Sequence, residues 1–153
     1  MADPRWLNET EQAHWRAYVA GSTLLWEVLD RDLKALHGLT MAEYEILVKL
    51  SESPERRLRM AELAESAYQS RSRLSHTCSR LESKGLVSRR PCEGDKRGVN
   101  AILTPEGMTL LEKAAQDHVN TVRDFFVDIV DPGDLAAIGR AFTAIAGKAA
   151  AAR

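Results

Sequence analysis

A chain of 153 residues, 44% hydrophobic and 28% charged, is long enough for one ordinary domain or two small lobes around a shared core. It holds no apolar run near the roughly 18 residues of a membrane span, and MADPRWLNETEQ lacks the charged-then-apolar pattern of a secretory leader, so the expected location is the cytoplasm. The formal net charge is −1, yet residues 55–97 hold eleven Arg and Lys against six Asp and Glu, and this basic middle between acidic ends marks a central surface for a polyanion.

Along the chain, Trp15, Tyr18, Val19, Ser22, Leu25, Trp26, Leu29, Leu33 and Leu36 recur at three- and four-residue steps, one face of a long helix. Asn8 with Glu11 can cap its start, and His37-Gly38 ends it. Thr40 and Glu43 then form a capping box, with Leu39 and Tyr44 as its hydrophobic staple, which predicts a second helix through Ile46, Leu47 and Leu50 to about Glu52. Ser53-Pro54 breaks it, and Arg56, Arg57 and Arg59 read as a solvated charge run.

Met60, Leu63 and Ala64 mark a short helix. After a turn near Tyr68-Gln69, Ser70 caps another that turns Leu74, Cys78 and Leu81 inward and stops at Lys84-Gly85. Two short helices about a tight turn make a helix-turn-helix. Leu86 to Cys92 reads as a strand, Gly94 to Gly98 as a charged turn and Val99 to Leu103 as the returning strand, which together add a wing. Thr104-Pro105 opens a long helix carrying Leu111, Ala115, His118, Val122, Phe125 and Ile129, and Asp131-Pro132 opens a last one with Leu135, Ile138, Phe142 and Ile145. These terminal stripes are too apolar to stay wet. Packing within the chain would cover them, but a bundle shared with a second subunit is the favoured expectation.

The predicted fold is therefore mainly α with a small β-hairpin wing: a winged helix-turn-helix lobe over residues 39–104, flanked by dimerisation helices over 1–38 and 105–153. Asp95-Lys96-Arg97-Gly98-Val99, followed by Leu103-Thr104-Pro105-Glu106-Gly107, matches the wing signature D-x-R-[AG]-x-x-x-x-L-T-x-x-G of MarR-family transcription regulators. MAELAESAYQSRSRLSHTCSRLESKGLVSRR resembles that family's helix-turn-helix, with one departure at Ser66-Ala67-Tyr68-Gln69, where a Leu-Gly-Val type of sequence is usual. The resemblance implies a homodimeric, ligand-responsive repressor that reads an imperfect palindrome in double-stranded DNA. It also implies release by a small aromatic or phenolic effector, bound in a cleft between the dimerisation helices and the winged lobe.

Duplex DNA offers phosphates for affinity and base edges for specificity. Arg71, Ser72, Arg73, Ser75 and His76 project away from the inner stripe of the second short helix and are the candidate major-groove residues. Arg73 is the first choice, because its fork can pair with guanine O6 and N7, while Arg71 suits a phosphate. Asp95, Lys96 and Arg97 are the wing candidates: Arg97 for the minor groove, Asp95 to hold its guanidinium by a charge-assisted hydrogen bond, Lys96 for phosphate. Ser70 and Arg90 complete the set as backbone contacts.

His14, Trp15, Tyr18, Trp26 and His37 are candidates to line the effector cleft, although the aromatic ones also fit a packed core. Cys78 reads as packing, and Cys92, at the base of the wing, as a partly exposed thiol and the one redox candidate. No nucleophile, base and acid fall into a catalytic pattern, so neither an enzyme nor a metal or cofactor is expected. The alternative from another class is a winged-helix module without its own operator, binding DNA non-specifically or docking a protein.

Overall fold

The computed structural model describes residues 3–152, apart from the side chain of Lys96, so the Lys96 contact expected above lies outside the described residues. Helix α1 runs Glu9–His37 and α2 Met41–Ser51; strand β1, Arg57–Arg59, leads straight into α3, Met60–Ser66. Helix α4 spans Arg71–Ser83, strands β2 and β3 span Val87–Cys92 and Asp95–Leu103, and α5, Pro105–Val122, is followed by α6, Pro132–Ala150. The chain divides into two units, one of Met1–Leu25 with Val119–Arg153 and one of Trp26–His118. Among the described residues, no helix is long and apolar enough to cross a membrane.

The helix starts follow from local chemistry. Asn8 and Glu11 cap each other's backbone N–H groups at 2.8 and 2.9 Å, and Thr40 and Glu43 do the same at 3.1 and 2.9 Å. Ser70 Oγ accepts the Arg73 N–H at 3.2 Å, Thr104 Oγ1 the Gly107 N–H at 3.0 Å, and Asp131 the Gly133 N–H at 2.8 Å. Each of these caps satisfies a donor that the helix itself cannot, a gain of about 1 kcal/mol apiece.

The turn between α3 and α4 is where this sequence departs from the family's usual residues, and it still closes in register. Gln69 N–H reaches the Ala64 carbonyl at 2.9 Å and Tyr68 N–H that of Glu65 at 3.1 Å. This is a Schellman ending with Tyr68 at φ 52°, a left-handed position that usually falls to glycine.

The core of the Trp26–His118 unit is built from Leu33, Leu39, Ile46, Leu47, Leu50, Leu63, Leu74 and Leu81, all at most 2% exposed. Each contributes about 1.5–3 kcal/mol by leaving water. In the other unit Thr121 is the one buried residue among those described, while Trp15, Leu24, Phe125, Ile129 and Ile145 are between 48 and 69% exposed. Its rings cluster as Trp15 on Tyr18 and Tyr18 on Phe142, with centroids 5.5 and 5.4 Å apart.

Three features correct the sequence reading. Arg56, Arg57 and Arg59 are exposed, as a solvated run should be, but Arg57-Leu58-Arg59 is also an unforeseen edge strand paired antiparallel to β3, giving a sheet of order β1-β3-β2. Strand β3 starts at Asp95 rather than Val99. The helix expected to continue from Pro105 to Ile129 changes winding at Arg123–Val127, a π turn closed by the Asp128 N–H on the Arg123 carbonyl at 2.9 Å.

Gly107 shows how closely α5 approaches the wing. A Cβ there would lie 2.1 Å from the carbonyl oxygen of Leu86, so the glycine is dictated by contact.

Candidate nucleic-acid interface

Helix α4 is fixed from behind. Leu74, Thr77, Cys78 and Leu81 are at most 1% exposed, and burial pushes the Cys78 thiol up to about 11, which suits packing and not reactivity. Its outer side carries Arg71, Ser72, Arg73, Ser75, His76 and Ser79, all exposed. The candidate base-reading residues therefore share one accessible face over the first two turns, with Ser70 also exposed at the N-cap.

Two ion-pair sets set the angle of this helix. Arg89, on β2, donates to the Glu82 carboxylate through Nε at 3.0 Å and Nη2 at 2.8 Å, and through Nη2 to Ser79 Oγ at 3.1 Å. This fork, with the Arg89 N–H also bonded, holds the Glu82 carboxyl below its ordinary value. On the other side Glu43, 1% exposed, accepts from Lys84 Nζ at 2.9 Å, Arg80 Nε at 3.3 Å and the Thr40 N–H. Burial alone would raise this carboxyl, but the bonds from Thr40, Lys84 and Arg80 outweigh it and hold it below its ordinary value.

Neither anchoring carboxylate was named from sequence beyond the capping role of Glu43, because the partners lie on other elements. Glu43→Gln should lower stability at neutral pH by about 1–3 kcal/mol, since Lys84 and Arg80 lose a charged acceptor. A carboxylate held below its ordinary value stabilises the fold above about pH 4.5 and loses that effect as the pH falls through its folded value. Melting curves should thus show the gap between wild type and variant at pH 7 closing below about pH 4.5; a gap independent of pH would contradict the clamp.

The wing tip is a bulged hairpin. Cys92 pairs with Asp95 and Pro91 with Val99, so residues 96–98 of β3 have no counterpart on β2, and Arg97 is displayed there, exposed. Gly94 turns the chain at φ 77°, whereas Gly98 is needed for space: a Cβ on it would lie 2.8 Å from Cys92 Sγ.

Two expectations are corrected at this tip. Asp95 does not hold the Arg97 guanidinium; one oxygen accepts the Arg97 backbone N–H at 3.0 Å and the other the Arg59 guanidinium at 3.2 Å. Cys92 is not partly exposed but 8% exposed, its thiol directed to Asn100 Oδ1 at 3.2 Å, so it packs inside the wing close to its tip. Arg90 is exposed on β2.

The five cleft candidates are divided between the units, His14, Trp15 and Tyr18 in one and Trp26 and His37 in the other. His14 is exposed on α1; Trp15 and Tyr18 belong to the ring cluster described above; His37 Nε2 is bonded to Asp117 Oδ2 at 2.8 Å. Trp26 alone of the five lines a cavity of about 770 Å³ within the Trp26–His118 unit, where the end of α1, the start of α2 and α4 meet. Asp30, Met41, Tyr68, Arg73 and Arg80 share it, and Gln69, also in the lining, has its Oε1 buried without a hydrogen-bond partner among the described residues. Sequence reading missed this site because its walls come from three separated segments. Among the described residues no group of three or more His, Cys, Asp or Glu is placed to hold a metal ion.

Residues 37–98 match a family model described as MarR family. Among solved structures, Sco3205 from Streptomyces coelicolor, described as a MarR family transcriptional regulator in complex with DNA, is 46% identical, with 95% of this chain and 91% of that one covered at a TM-score of 0.92. The regulator PecS of Dickeya dadantii is 31% identical over 101 residues, which span 63% of this chain and 61% of PecS. The repressor YetL of Bacillus subtilis is 29% identical over 130 residues, 78% of each chain. With the helix-turn-helix, the bulged arginine wing and these relatives in agreement, the chain belongs to the MarR family of transcriptional regulators.

Proposed function

We propose that this protein is a homodimeric, sequence-specific DNA-binding repressor that reads a pseudo-palindromic operator and responds to a small effector. The observation that carries the reading is the exposed face of Arg71, Ser72, Arg73, Ser75 and His76 on a helix whose opposite face is buried, beside a wing tip that presents Arg97. Phosphate-seeking cations and base-reading forks stand on one rigid support, as groove recognition requires. The complex of Sco3205 with DNA and the name of YetL support the same direction.

The homodimer is supported by the apolar side chains left exposed on the Met1–Leu25 and Val119–Arg153 unit, which has almost no core of its own. Two copies would set their recognition helices about 34 Å apart, one turn of B-DNA. Selection from a random duplex library tests this directly. The reading predicts an enriched inverted repeat with half-sites one turn apart, and a library that stays random would leave only the non-specific module.

Arg97→Ala should weaken binding to native and scrambled duplexes alike and reduce the slope of log affinity against log salt by about one unit per protomer. An unchanged slope would remove the wing tip from the interface.

Effector response is supported by the 770 Å³ cavity, because Ser72, Arg73 and His76 belong both to its wall and to the proposed base-reading face. An occupant there competes with DNA for the same side chains. Aromatic carboxylates should quench Trp26 emission and release DNA together, with both effects reduced in Trp26→Leu. Release that persists unchanged in that variant would place the effector elsewhere.

A further inference from the structure

We infer that the outer face of the three-stranded sheet is a second DNA-contacting surface, which grips backbone phosphates of the duplex flanking the site taken by α4 and the wing tip. The inference rests on the DNA-binding reading above and extends the single backbone contact expected of Arg90 to a whole sheet face with Arg57 and Arg59.

The strand register builds this face. Arg59, Asn100 and Arg90 lie in one row across β1, β3 and β2, and Arg57, Ile102 and Ser88 in the next. Alternation along each strand puts both rows on the same side, while Val87, Ala101 and Leu103 point to the core and are at most 5% exposed. Three arginines from two edge strands therefore surround a hollow of about 300 Å³, with the Asn100 amide in its lining and Glu93 as its one acidic residue among those described. Guanidinium forks around a shallow, wet hollow suit phosphate oxygens.

Strand β1 adds little else. Of its three side chains only Leu58 is even half-buried, and the chain enters it through two successive left-handed residues that are not glycine, Glu55 at φ 53° and Arg56 at φ 54°. Such backbone is disfavoured by roughly 1–2 kcal/mol per residue and persists where the surrounding structure requires it. What the strand delivers is Arg57 and Arg59 to the sheet face.

The ion pairs on this face are of the exchangeable kind. Arg57 pairs with Glu55 and Arg59 with Asp95, with every partner at least 42% exposed, and Arg90 has no ion pair among the described residues. Exposed pairs are weak, so a phosphate can replace the carboxylate at small cost. Asp95 also accepts the Arg97 N–H, which makes the sheet face continuous with the wing tip.

The test compares the shortest duplex that retains full base discrimination with the same duplex extended by about 8 bp at each end, each in native and scrambled sequence, by anisotropy over a salt series. Wild type should bind the extended duplexes more tightly, with a salt slope steeper by about one unit for each added phosphate contact. Arg57→Gln with Arg90→Gln should bind short and extended duplexes alike, while Arg57→Lys with Arg90→Lys should keep the length dependence. Matched melting temperatures would show that the variants are folded.

Wild-type binding independent of duplex length, or a length dependence that survives the double Gln change, would overturn the inference. So would inorganic phosphate, at constant ionic strength, lowering affinity for short and extended duplexes equally, since the hollow would then serve a free anion. Equal binding of native and scrambled sequence with the length dependence intact would instead defeat base reading and leave the flanking contact standing.

Discussion

Arg73→Ala is expected to lower affinity for the cognate duplex by about 1–3 kcal/mol, roughly five- to 150-fold, and to change affinity for a scrambled duplex far less. The side chain leaves α4 in its first turn, where a recognition helix meets base edges, and it is exposed with its backbone N–H tied to Ser70. Removing the fork leaves guanine O6 and N7 without their donors in a groove from which water has been displaced. A cation that only met phosphate would produce the same loss on every sequence, so the ratio of the two losses separates base reading from backbone contact. Equal losses would reassign Arg73 to the phosphates. Because Arg73 also lines the cavity beside Trp26, the same variant should blunt any effector response, which effector titration of the variant would read.

The second large effect concerns the fold. Gly107→Ala places a Cβ 2.1 Å from the Leu86 carbonyl oxygen and 2.8 Å from Leu103 Cδ1, and a backbone carbonyl cannot turn aside as a flexible side chain does. Overpacking of this kind costs about 1–3 kcal/mol or more and would shift α5 from the start of β2. Gly85 provides the comparison. It sits at φ 73° with nothing within 4 Å of an added Cβ, so Gly85→Ala meets only the left-handed backbone cost of roughly 1–2 kcal/mol. Thermal melting should rank Gly107→Ala as the less stable of the two. The reverse order would mean that α5 and β2 are free to move apart.

What was legible in the sequence was what chemistry within a few residues decides. The caps at Asn8, Thr40, Ser70, Thr104 and Asp131 and the inner stripe of α4 all rest on local spacing, and each took its expected form. Strand β1 was not legible, because Arg57-Leu58-Arg59 has one apolar residue and its partner strand lies about forty positions later. The same distance hid the bond between Arg59 and Asp95; proximity in sequence pointed instead to Arg97. Cys92 looked open among basic neighbours, and only the pairing of β2 with β3 brings Asn100 against its thiol. The stripes on α1 and α6 were read as apolar from their spacing, and Trp15, Phe142 and Ile145 among them stand exposed.

We propose that α4 and the wing read a particular DNA sequence. The most direct measurement is fluorescence anisotropy of the purified protein on its own upstream intergenic DNA and on a scrambled copy, at two salt concentrations. Markedly tighter binding to the native fragment, with the preference retained at the higher salt, is the predicted result. Equal affinities that fall steeply and in parallel with salt would contradict it.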